Sequence, residues 1–129
     1  MANTDEWLGS MPGEARDFVV TLFVPSQTRD GDPIDHAFWC NQALKVMAGL
    51  FGGATAIACE GAWRDDERGG AILMERNSTV QSYMAKSSWN ETTAVALAKF
   101  LHRMGREASQ GEIALVVNGQ FFPIREFNK

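Results

Sequence analysis

A chain of 129 residues, 45% hydrophobic and 22% charged, has the size and balance of one globular domain with its own core. Its net charge of -4 excludes a global electrostatic pull toward nucleic acid, and its apolar runs fall short of the roughly 20 residues a membrane helix needs. The two cysteines, Cys40 and Cys59, form no Cys-x-x-Cys pair and read as free thiols that pack like small apolar groups.

Residues 1–16 are polar and broken by Pro12 and Gly13, with Trp7, Leu8 and Met11 as their large apolar groups. They lack the basic start and apolar core of a signal peptide, so the reading is a flexible N-terminal arm on a cytoplasmic protein. The alternative is a short segment that docks on a neighbour through Trp7. Residues 17–129 read as a single domain.

Asp17 to Val24 alternates as a strand with two largely apolar faces, and Pro25 ends it. A polar loop follows to Pro33. Asp32 suits a helix N-cap and Pro33 the first helical position, with Asp35 in the first turn. Ile34, Ala37, Cys40, Leu44, Met47 and Phe51 recur on one helical face, widened by Ala43, Val46 and Leu50. Gly52-Gly53 stops the helix.

Ala54 to Glu60 predicts a second strand. Gly61 to Gly70 then reads Gly-Ala-Trp-Arg-Asp-Asp-Glu-Arg-Gly-Gly, a charged hairpin loop carrying one tryptophan between glycines. A third strand spans Ala71 to Met84, with a bulge or bend expected near Arg76-Asn77-Ser78. A second helix runs from Glu91 to about Met104, capped by Asn90 or Ser88 and stopped at Gly105. Its buried face carries Ala94, Leu97, Leu101 and Met104. Ile113 to Val117 is a strand, Asn118-Gly119 a tight hairpin turn, and Gln120 to Phe127 a last strand that Pro123 places at an edge.

The order predicts an α+β, ferredoxin-like β-α-β-β-α-β domain with an extra C-terminal hairpin strand. Its antiparallel sheet would carry two helices on one face. The other face, with Val19, Thr21, Phe23 and part of the last hairpin, is expected to be apolar and to meet a homodimer mate or a larger protein partner.

This topology brings three loops to one end. Arg29 to Asp35, Trp63 to Arg68, and Arg106 to Glu112 should converge there, near His36 and His102. The candidate site residues are therefore Arg29, Asp35, His36, Trp63, Arg64, Asp65, Asp66, His102, Arg106, Glu107, Gln110 and Glu112. Trp63 could stack on a small ligand while Arg64, Arg29 or Arg106 held its carboxylate or phosphate. Against that, Trp63 could simply pack under its loop, and Arg64 could pair with Asp35 or Glu107.

The acids Asp35, Asp65, Asp66 and Glu107, with a histidine, would be compatible with a metal-dependent hydrolase. Each also has a plain role as a cap or a solvated turn, and neither a metal nor a cofactor is expected. No phosphate-binding glycine loop, nucleophile elbow or His-Glu-x-x-His is present. Four tryptophans do not fall on one strand as an RNA-stacking sheet would need, which argues against nucleic acid as a partner.

Gly61-Ala-Trp-Arg64, the acidic start at Asp32 to Trp39, the strand Phe18 to Val24, and Gln110-Gly111-Glu112 together resemble a group of small bacterial domains of unknown function. The resemblance covers most of the chain after Arg16. It implies the same two-helix antiparallel-sheet fold and brings no activity. The leading reading is a non-catalytic binding or accessory module of a bacterial complex. The alternative is a small enzyme, or a protein that binds a small anionic ligand, with its site at the Trp63 end.

Overall fold

Alternation along the first strand decides which side of the sheet is covered. In β1 (Phe18–Val24), Val20, Leu22 and Val24 are fully buried, while Val19, Thr21 and Phe23 are half-buried. The remaining elements follow as α1 (His36–Phe51), β2 (Thr55–Asp65), β3 (Ala71–Met84), α2 (Glu91–Glu107), β4 (Ile113–Val117) and β5 (Gln120–Ile124). The computed structural model describes residues 9–11 and 13–127, so a docking role for Trp7 lies outside the described residues.

The five strands form one sheet in the order β2-β3-β1-β4-β5, with every neighbouring pair antiparallel. Both helices cover the same face, and the core is built between them and Val20, Leu22, Val24, Val80, Met84, Ile113 and Leu115. This is the ferredoxin-like arrangement with one extra strand.

Local chemistry shifts several boundaries. Asp35, not Asp32, caps α1 by accepting a hydrogen bond from Phe38 N at 3.0 Å. Residues 28–32 instead close their own turn: Thr28 N donates to Asp32 O at 2.7 Å, and Thr28 Oγ1 accepts from Asp30 N and Asp32 N. Pro33 sits in a β-bridge with Gln27. Asn90 caps α2 in a reciprocal box with Thr93.

Gly105 does not stop α2. The Phe127 ring lies against it, where any Cβ would overlap the ring, and the helix continues to Glu107. Trp39 centres the buried face of α1, between Phe100 and an Arg103 guanidinium 5.3 Å from its ring centroid. The six-residue face read from the sequence had missed it.

The largest departure is in the hairpin. Gly61 to Asp65 is strand, not loop: β2 and β3 pair without a break from Thr55↔Gln81 to Asp65↔Ala71. The turn is confined to a 3-10 helix at Asp66–Arg68 and to Gly69 and Gly70, both at positive φ. No bulge interrupts Arg76-Asn77-Ser78. Those residues mark the point where β3 gains β1 as a second neighbour, beginning at Ser78↔Val24. Beyond that point residues 60–75 project as a two-stranded ribbon.

The uncovered sheet face is polar toward β3 and apolar toward the last hairpin, where Thr21 stands beside Val116 and Val116 beside the exposed Phe121. Val19, Thr21 and Phe23 do line it, but their β3 partners are Tyr83, Gln81 and Thr79, and Gln81 Nε2 donates to Thr21 Oγ1 at 3.2 Å. Among the described residues, no helix is long and apolar enough to cross a membrane.

Candidate functional site

A cavity of about 320 Å³ opens where the ribbon leaves the sheet, large enough for a small organic ligand. Three segments wall it: the β1–α1 loop with Gln27, Thr28 and Arg29; the ribbon with Trp63, Leu73, Glu75 and Asn77; and the α2–β4 loop with Gln110 and Glu112. Phe23 forms part of its apolar wall.

Strand register explains why the ribbon residues share one side. Trp63 lies opposite Leu73, Gly61 opposite Glu75, and Cys59 opposite Asn77. All point to the face away from the helices, because side chains alternate along a strand. Gly61 makes room for the indole: a Cβ there would stand 3.2 Å from the far edge of the Trp63 ring. The ring is 44% exposed, so it is a wall of the cavity more than a buried prop.

The two loops are held in place by backbone and amide bonds. Arg29 N donates to Ser109 O at 2.9 Å, and Gln110 Nε2 donates to Gln27 O at 2.7 Å. Glu75 accepts from Ser26 N at 3.2 Å and, with the Asn77 amide turned to satisfy both its ends, from Asn77 at 3.2 Å. Among the described residues Glu75 has no cationic partner, and Arg29 has no ion pair. Glu112 is paired with Arg125 at 2.9 Å. The cavity thus combines a flat indole, apolar side walls, one carboxylate available to a cation and one guanidinium available to an anion.

Of the residues predicted to converge, Arg29, Trp63, Gln110 and Glu112 line this one cavity. The others are engaged elsewhere. Asp35 caps α1. Arg64 pairs with Asp66 at 2.6 Å and Arg68 with Asp65 at 3.4 Å, so the ribbon tip neutralises most of its own charge. Arg64 therefore meets neither Asp35 nor Glu107. Glu107 pairs with Arg103 at 2.8 Å, and Arg106 Nη1 donates to Phe127 O at 2.8 Å.

His36 ties three elements together. Its Nδ1 lies 2.7 Å from Pro25 O, and its Nε2 lies 2.9 Å from Ser78 Oγ and 3.4 Å from Cys40 Sγ. It braces the cavity floor from behind without lining it. His102 stacks edge-on to Phe127, with its buried Nδ1 unpartnered among the described residues. Among those residues no three His, Cys, Asp or Glu side chains gather as a metal site.

Sequence reasoning missed Glu75, Asn77, Phe23 and Leu73. The signal for Glu75 was there in the hairpin: a turn centred on residues 66–70 places Glu75 directly across from Gly61 and beside Trp63.

No family model and no curated protein matches the chain. Two solved structures share its fold. A phage SAM lyase in complex with S-methyl-5′-thioadenosine superposes with a TM-score of 0.63 at 11% identity, covering 93% of this chain and 98% of that one. A phage SAM lyase in the apo state superposes at 0.61 with 11% identity, covering 89% and 94%. At this identity the likeness shows the fold alone.

Proposed function

We propose that the cavity binds a small ligand with a flat heteroaromatic ring and a cationic or zwitterionic tail, of the adenosyl-thioether or adenosyl-sulfonium class. The observation that carries the reading is the half-exposed Trp63 indole beside the Glu75 carboxylate. Indoles stack on heteroaromatic rings and attract cations through the same face. A carboxylate with no ion pair favours a ligand that carries a cation over the anionic ligand weighed as an alternative from the sequence. Arg29 would take the carboxylate of an amino-acid tail. The S-methyl-5′-thioadenosine held by a protein of the same fold supports the ring chemistry.

Isothermal titration tests this. S-adenosylmethionine or S-methyl-5′-thioadenosine should bind with a 1:1 stoichiometry per chain, and Glu75→Gln should weaken the charged ligand more than the neutral one. If neither ligand binds at millimolar concentration, the reading fails.

The second reading is a small enzyme at the same site, favoured by the same uncompensated Glu75 carboxylate. Chromatography of S-adenosylmethionine incubated with the protein separates the two, because turnover would release a nucleoside product and binding alone would not. Neither the geometry nor the structural neighbours support an accessory subunit of a larger complex.

A further inference from the structure

The two edges of the sheet are built differently. β5 is five residues long and carries Pro123, a short and interrupted edge. β2 is eleven residues long, Thr-Ala-Ile-Ala-Cys-Glu-Gly-Ala-Trp-Arg-Asp, with no proline, no lysine and an unbroken ladder to β3. In an antiparallel ladder every second residue turns its N–H and C=O away from its partner, so β2 presents a long row of backbone donors and acceptors outward. Among the described residues no other strand pairs with that edge.

We propose that β2 pairs antiparallel with β2 of a second copy of this chain, on a two-fold axis at Ala62. The occupant follows from the strand's self-complementarity. With the axis at Ala62, Glu60 stands opposite Arg64 of the second copy, and Arg64 opposite its Glu60. Both side chains are well exposed, at 63% and 70%. The same register sets Gly61 opposite Trp63, so no two bulky side chains meet directly across the axis there.

Neighbouring registers lose this match. An axis at Glu60 or at Arg64 places like charges face to face, and an axis at Gly61 leaves both charges opposite alanines. Like charges directly opposite are destabilising, and unlike charges contribute modestly.

The apolar groups agree with that axis. Met74 lies across from Ala62 in the ribbon and is 65% exposed, with Ile72 on the same side at 63%. Pairing at Ala62 creates a row Met74–Ala62–Ala62–Met74 across both copies, in which small alanines let the methionines close over the seam. In the single chain Glu60 and Arg64 contact Arg76 at 3.5 Å and Asp66 at 2.6 Å. Exposed pairs of this kind are weak, so they exchange partners at little cost.

Sedimentation equilibrium of the full chain, read alongside charge reversal, tests the proposal. The wild-type protein should be a dimer. Glu60→Arg and Arg64→Glu should each raise the dimer dissociation constant by about tenfold or more, since like charges then meet twice across the axis. The double variant Glu60→Arg, Arg64→Glu should recover to near the wild-type value. Both positions are exposed, so circular dichroism should be unchanged in all three. Hydrogen exchange should show alternate β2 amides protected in proportion to the dimer fraction. A chain that stays monomeric at millimolar concentration overturns the proposal. So does a dimer indifferent to both reversals, or a double variant no better than the singles.

Discussion

One strand contains both kinds of surface in this molecule. In β3, residues 78–84 pair with β1 under the helices, with β2 on the other side as far as Gln81, and Ser78, Val80, Ser82 and Met84 are buried. Residues 71–77 continue with β2 as their one neighbour, and Ile72, Leu73 and Met74 are exposed. The ribbon half is the more apolar by sequence, yet it is the half left in water. Burial is decided by neighbours, not by hydrophobicity alone. Apolar groups placed where the fold supplies no cover become available to a ligand or a second chain.

The sharpest way to test the contrast is to empty a site in each half. Trp39 is 5% exposed beneath α2, with Phe38, Phe100 and Arg103 around it. Trp39→Ala should cost about 3–5 kcal/mol, measured by urea unfolding, as for other buried aromatics cut to alanine. A loss under about 1 kcal/mol would mean that the helical layer is far looser than its packing implies.

Gly105→Ala probes how the C-terminal segment closes the covered half. The new Cβ would overlap the Phe127 ring. Overpacking of this sort costs about 1–3 kcal/mol, offset by the roughly 1 kcal/mol alanine gains over glycine in a helix. A net loss is expected, and pairing it with Phe127→Ala should restore stability. A stabilised single variant would show that Phe127 contributes nothing to the fold. Smaller again is Asp35→Ala, which removes the α1 cap and should cost about 1 kcal/mol by the same assay.

The topology could be read in the sequence because it rests on patterns of fixed period: alternation in Phe18–Val24, a helical stripe ending at Gly52, and an Asn118-Gly119 turn whose residues adopt φ of 47° and 89°. The helix start could not, because Asp32 and Asp35 are equally good caps by type. What separates them is the Thr28 turn, which engages Asp32. Half of the site was legible for the same reason as the fold, since the topology forces Arg29, Trp63, Gln110 and Glu112 to one end. Glu75 and Asn77 stayed hidden because the charged run after Gly61 read as loop. A loop has no register, so nothing indicated which residue of the third strand faced Trp63. The pairs Arg64–Asp66 and Arg68–Asp65 explain why so many charges fit into an ordered strand end.

Trp63→Ala is the counterpart of Trp39→Ala and should change stability least. Its ring rests on Gly61 at the cavity edge, with water over much of it. Removing it should lower unfolding free energy by under about 1 kcal/mol, within the usual range for surface positions. If the cavity takes a flat ring, the same change should weaken ligand binding by about 1–3 kcal/mol, the worth of stacking one base on an aromatic side chain. Two tryptophans in one small domain would then divide the work, one felt in unfolding and the other in titration. Should Trp63→Ala instead unfold the protein as readily as Trp39→Ala, the ribbon would be held by its indole. The half-exposed ring would then be a strut, and the cavity beside it would lose its argument for a ligand.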